Sequence, residues 1–182
     1  MDLKTSFSLS LSIAGMVALL PVVSAQQGQP VAGYRLLTTI TLPTGLTGND
    51  ISWVDSANAR YYLADRGNAA ATPPVPPSVD VFDTLNDKFL TSIVLPSGSN
   101  GILAIPRAHE IWVGLSDSTV QVISTDTLQI THVISTGGTM RADETAYDPE
   151  DRLLLIANDR DAPPFVTFIS TESYAVVKRI SY

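Results

Sequence analysis

From Tyr34 onward, apolar and polar residues alternate with a period of two. That is the repeat of a strand that buries one face. No stretch holds the 3.6-residue period of an amphipathic helix. The segment YRLLTTITL, residues 34–42, predicts a strand closed by Pro43 and Gly45. Four more strands follow over 50–55, 60–65, 79–84 and 88–96. The set of four recurs over 101–106, 110–117, 119–125 and 129–136, and again over 144–149, 152–160, 165–171 and 174–181.

The repeat extends to the turns. Phe82-Asp-Thr, Ile123-Ser-Thr and Ile169-Ser-Thr each close a third strand, 41 and then 46 residues apart. Asp65-Arg66 recurs as Asp159-Arg160 at an offset of 94, which also sets Asn49-Asp50 on Asp143-Glu144. The first set is longer because it carries an additional segment, AATPPVPPS (70–78). A four-stranded unit of roughly 40–50 residues is the mark of a β-propeller blade. One antiparallel sheet with two apolar faces buries neither alone, so it stacks on neighbours. A β-sandwich, the alternative, has no reason to repeat its turn chemistry at fixed offsets. Segment 34–42 matches the fourth strand of each set (TTITLP against TSIVLP), as an outer strand supplied by the opposite terminus would.

The expected fold is therefore all-β: a β-propeller of one outer strand, 34–42, plus three four-stranded blades at approximately 46–96, 97–136 and 137–182. Rings typically hold roughly four to eight blades, so three make an incomplete ring with two apolar faces open. Either further blades or self-association must close it, or the chain is a non-functional truncated gene product. The final ISY, where a fourth strand closes, agrees with truncation at a blade boundary.

Residues 1–25 do not share the strand pattern. A start with one lysine, an apolar run and Val23-Ser24-Ala25 read as a signal peptide, with cleavage before Gln26. A retained anchor is the competing reading, against which stand the serines in the run and the absence of a Lys/Arg cluster after it. The expectation is a secreted, extracellular chain, off the membrane after cleavage. There is no cysteine, so packing alone must hold the fold. Eighteen Asp and Glu against eleven Lys and Arg give a net charge of −7. Nothing here neutralises a run of phosphates, which argues against nucleic acid as a partner.

The stretch ADETAYDPEDRLLLIANDRDAPPFVTFIST (142–171), with VQVISTDTLQI (120–130) before it, resembles the secreted YVTN-type and surface-layer-like β-propeller repeats of the lactonase-like superfamily. The resemblance covers residues 34–182. It implies a seven-bladed ring of which this chain is about half, and a superfamily in which some members are lactonases or metal-assisted hydrolases and lyases. It places no catalytic residue here.

Two clusters carry candidate chemistry. Asn49-Asp50 and Asp143-Glu144 sit where first strands start to line a central channel. Asp50, Asp143 and Glu144 would offer oxygens to a hard cation such as Ca²⁺, which takes six to eight. Such an ion would polarise a lactone or ester carbonyl. Against this, both pairs are ordinary turn residues, and the middle blade has Gly101-Ile102 at the expected place. The second cluster, Asp65-Arg66 and Asp159-Arg160, ends two second strands on one rim. An arginine there would fork onto a ligand carboxylate or brace a neighbouring loop. His109 and His132 lack zinc spacing, and no GxSxG elbow exists. The proline-rich segment and its counterpart DAPP (161–164) mark the same rim, and stiff, extended polyproline is expected in the longer one.

These residues leave the leading reading as a module that binds a small molecule or a protein, of a specificity the sequence does not name. Its rival is a metal-assisted hydrolase or isomerase of a lactone-like small molecule.

Overall fold

The computed structural model describes residues 33–182. The expected signal peptide, 1–25, lies outside the described residues. Thr38–Tyr182 forms one unit. It is built from twelve strands: β1 (Asn49–Asp55), β2 (Arg60–Asp65), β3 (Ser78–Asp83), β4 (Lys88–Val94), β5 (Ser99–Ile105), β6 (Glu110–Leu115), β7 (Thr119–Ser124), β8 (Ile130–Ser135), β9 (Thr145–Asp148), β10 (Leu153–Asn158), β11 (Phe165–Ser170) and β12 (Val176–Ser181). They pair only with chain neighbours, as three antiparallel four-stranded sheets ordered β1–β4, β5–β8 and β9–β12. The sheets do not close into a ring, and the three-blade reading of the sequence stands.

Local chemistry sets the turns at equivalent places. Each third strand ends in a side-chain oxygen that accepts two backbone N–H groups of the next turn. Asp83 Oδ1 takes those of Leu85 and Asn86 at 2.9 and 3.0 Å. Ser124 Oγ takes Asp126 and Thr127, and Ser170 Oγ takes Glu172 and Ser173, at 3.3–3.4 Å. The residue four positions after each, Asp87, Leu128 and Tyr174, has φ of 48, 58 and 54°. These Asx- and Ser-turns are the physical content of the Asp-Thr and Ser-Thr recurrence.

The inner strands lie side by side, β1 against β5 and β5 against β9. Sheet-to-sheet packing uses one pair of faces twice. Tyr62, Ala64, Val79 and Val81 of the first sheet bury against Ile111, Val113, Leu115 and Ile123 of the second. Trp112, Val120, Val122 and Ile134, from the second sheet's other face, bury against Leu154, Ile156 and Ile169 of the third. The middle sheet thus offers one face forward and receives its neighbour on the other. At the second junction Tyr174 Oη donates to Glu110 Oε1 at 2.6 Å, while Trp112 Nε1 donates to Oε2 at 2.9 Å. That leaves one face of the first sheet and one of the third without a sheet on them. Val54 is 64% exposed on the first, and the cross-strand pairs Leu155–Phe168 and Val166–Ile180 lie on the third.

Segment 34–42 forms no strand. The expected outer strand fails because an outer strand needs a third strand to pair with, and β4, β8 and β12 already fill that place in all three sheets. Thr38 and Ile40 nonetheless border a cavity with Tyr61, Phe82 and Asp87, on the uncovered face of the first sheet.

Candidate functional site

The ladder registers fix which residues are equivalent. Asp55 pairs with Arg60 in the first sheet and Asp148 with Leu153 in the third, an offset of 93, not 94. Asp65 is therefore equivalent to Asn158, and Arg66 to Asp159. The repeated Asp-Arg dipeptide is a coincidence of composition one residue out of register. In the second sheet, where Ile105 pairs with Glu110, the residue equivalent to Asp50 and Asp143 is Asn100 rather than Gly101. All three blades thus carry a polar side chain where the inner strand starts. In the first two it sits in a bulge, between Asn49 and Ser52 and between Ser99 and Ile102. Bulges re-aim side chains in this way next to functional sites.

Close main-chain approach brings the row together. A Cβ on Gly101 would lie 1.7 Å from the Asp143 carbonyl oxygen, so only glycine lets β5 pass there. Asn100 Nδ2 reaches the Ala142 carbonyl at 3.4 Å. Asp143 N–H and the Glu144 carbonyl continue the ladder onto Ala157.

Two arginines hold the carboxylates. Arg66 donates to Asp50. Arg141 forms an ion pair with Asp143 Oδ2 at 2.6 Å and forks onto both oxygens of Asp159 at 3.0 and 2.8 Å. That fork lowers the Asp159 pKa. Asp143 moves the opposite way. Burial pushes its carboxyl up; Arg141 opposes this, and the nearby charges of Asp50, Asp159 and Glu144 add to it. Asp143 is 3% exposed. Its Oδ1, like Asn100 Oδ1 and Asn158 Oδ1, is buried with no hydrogen-bond partner among the described residues.

Asp50, Asp143 and Glu144 share one electrostatic neighbourhood, yet they do not gather around a common point. Among the described residues no three His, Cys, Asp or Glu side chains are placed to hold a metal ion. Asp50 and Asp143 face arginines, and Glu144 is exposed. This donor set does not fit Ca²⁺.

Asp65 lies outside the row. It is buried and accepts from Thr47 Oγ1 at 2.9 Å, Gly48 N at 3.1 Å and Gly67 N at 2.9 Å, which pins the segment leading into β1. In the third blade Asp161 does this work, accepting from Thr139 N at 2.7 Å and Thr139 Oγ1 at 3.0 Å. Arg160 is exposed and borders a cavity of about 560 Å³ with Asp161, Phe165 and Arg179. The segment after Arg66 is not extended polyproline: Asn68 and Val75 exchange backbone bonds of 2.8 and 3.0 Å, folding it back on itself. Because Asn49 pairs with Asp65, the ends of the second strands share a rim with the starts of the first.

Sequence reasoning missed Asn100, Arg141 and Asp161. The signal for Arg141 was present in Arg141-Ala-Asp143, two residues ahead of the acid. Asn100 was missed because the sequence reading aligned the first two blades at an offset of 52, whereas the ladders set it at 50.

No family model matches the chain, and no curated protein is similar to it. Among solved structures it is similar to Kuenenia stuttgartiensis hydrazine synthase, with a TM-score of 0.60 and 20% identity over 72% of this chain and 36% of that one. It is also similar to dihydro-heme d1 dehydrogenase NirN in complex with DHE, with a TM-score of 0.56 and 18% identity over 72% and 27%. The chain spans about a third of their length. At these identities the likeness is one of fold: a β-rich, partly propeller-like architecture.

Proposed function

We propose that the row Asp50–Asn100–Asp143 is part of a small-molecule site at the axial end of a propeller, and that the completed ring is an enzyme. Its chemistry would be hydrolysis or isomerisation of a lactone-like compound. The observation that carries this is Asp143: a buried carboxyl with a raised pKa, one oxygen held by Arg141 and the other without a protein partner. Perturbed carboxyls of this kind concentrate at functional sites, and an unpaired buried oxygen calls for an explanation. Both solved structures sharing the fold are enzymes by name, which supports placing this reading ahead of a pure binding module. Membership of the YVTN-type repeats and secretion belong to the same proposal, on the sequence features that suggested them.

In hydrolysis, Asp143 Oδ1 accepts a proton from a water whose oxygen adds to the acyl carbon. The ring C–O bond then breaks, and the leaving oxygen takes that proton back. Arg66, exposed on one side, stabilises the charge on the carbonyl oxygen. No step passes through a metal, since the residues present do not fit one.

The test is turnover of a lactone and aryl-ester panel, comparing the native chain with Asp143→Asn. The reading expects activity that falls at least about 100-fold in the variant, the scale of a lost acid–base group. Binding of panel members without turnover in either protein would return the site to the binding-module reading.

A further inference from the structure

The two faces that carry no neighbouring sheet are not two unrelated apolar patches, although on the first Leu63 and Phe82 are already only 6% and 5% exposed. By ladder register, Tyr61, Leu63 and Phe82 of the first sheet correspond to Ile111, Val113 and Ile123, which receive the first sheet on the second. Leu155, Val166 and Phe168 of the third sheet correspond to Trp112, Val120 and Val122, which the second sheet offers to the third. One open face is the receiving half of a junction made twice within the chain, and the other is the offering half.

The rim of that junction can be followed through all three places. Between the first and second sheets, Thr91 of β4 and Leu128 of the turn line the same cavity. Between the second and third, His132 of β8 stacks on Tyr174, ring centroids 3.6 Å apart. Leu128 and Tyr174 are the left-handed turn residues, and Asp87 is the third. On the outer strands the matching positions are Thr91, His132 and Lys178, each paired with the equivalent third-strand residue. A junction between the third sheet and the first would therefore set Lys178 against Asp87, a cation against an anion. The strand edges agree. Segment 34–42 has strand patterning and no ladder partner, and β12 is an edge strand of its sheet.

We propose that a second copy of this chain occupies both faces, head to tail, so that two chains close a six-bladed ring with two identical junctions. Two copies fall within the roughly four to eight blades of known rings, and three would not. Heterologous faces of this kind close when the rotation allows. In the closed ring residues 38–42, of which Thr38 and Ile40 border a cavity with Tyr61 and Phe82, run along the partner's outer strand. Closure also places two copies of the Asp50–Asn100–Asp143 row around one axis.

Light scattering of the purified full chain tests this. The expected result is a monodisperse particle of twice the chain mass. Asp87→Lys and Lys178→Glu should each raise the dimer dissociation constant about tenfold, and the double reversal should restore it, since opposed charges set partner choice. Monomer at all concentrations would overturn the proposal. Open-ended polymer, unfolded chain, or a double variant no tighter than the singles would overturn it as well. None of these readouts depends on turnover.

Discussion

The middle sheet and its two neighbours have the same strand plan and nearly the same turns, yet they differ in what they can bury. Every residue of β5 and β6 is buried, whereas β9 contains no buried residue and β12 has none either. The difference does not lie in propensity, because Leu153-Leu-Leu-Ile156 is as apolar as any strand in the second sheet. Between the second and third sheets it lies in having a sheet on both faces; in the first sheet β3 is buried throughout although another sheet covers only one of its faces. A propeller blade is a half-finished core on each side, and its stability is mostly the interface with its neighbours.

That contrast has consequences that can be measured. The largest effect is expected at the glycines that let the second and third sheets meet. Gly101→Ala drives a methyl into the Asp143 carbonyl and should cost more than the roughly 1–3 kcal/mol of ordinary overpacking. Denaturant unfolding would show it, and a neutral outcome would mean the sheets are not this close. Next is Trp112→Ala, which removes a fully buried ring stacked on Tyr174 and hydrogen-bonded to Glu110, at about 3–5 kcal/mol. The matched change on the open face, Phe168→Ala at the position equivalent to Val122, should cost only about 1 kcal/mol in the single chain. If the two changes cost the same, the third sheet's face is already covered.

A smaller effect separates individual carboxyls by pH. Asp80, 1% exposed on the face of the first sheet that carries no neighbouring sheet, is pushed up by burial, although Ser92 and Ser78 hydroxyls donate to it at 2.6 and 3.0 Å. A carboxyl raised in the folded state holds its proton more tightly there than in the unfolded chain. Its contribution to stability is therefore largest below the unfolded pKa and falls as pH rises through the folded one. Asp159 and Asp161 are lowered, and their contribution is lost only as pH falls below the unfolded value. Asp80→Asn should accordingly flatten the decline in stability as pH rises above the unfolded carboxylate value and leave the strongly acid side unchanged. A wild-type slope in the variant would remove Asp80 from that account. The smallest effect belongs to the turn: Ser124→Ala and Ser170→Ala should each cost about 0.5–1.5 kcal/mol, alike in both sheets, because the turn bonds are local.

The candidate site divides along the same line. The acids at the start of the inner strands were legible, since Asp50 and Asp143 stand out in turn-like sequence. Their partners were not, because Arg66 follows a second strand while Arg141 precedes a first strand. No sequence period links those two places; only the convergence of β1, β5 and β9 does. Asp50 and Asp143 each face an arginine, a pairing that no spacing along the sequence displays.

Alternation of period two, turn residues at fixed spacing and the length of the unit determined the strands, their order and the three-blade plan, because these depend on contacts within one sheet. The tertiary structure decided the rest. It chose a register one residue from the dipeptide match, since ladder bonds and bulges count backbone positions rather than residue types. It left 34–42 unpaired, since a strand forms only where another offers its edge. It raised the pKa of Asp143 and lowered that of Asp159, since burial and the direction of one guanidinium are properties of packed neighbours that no single strand carries.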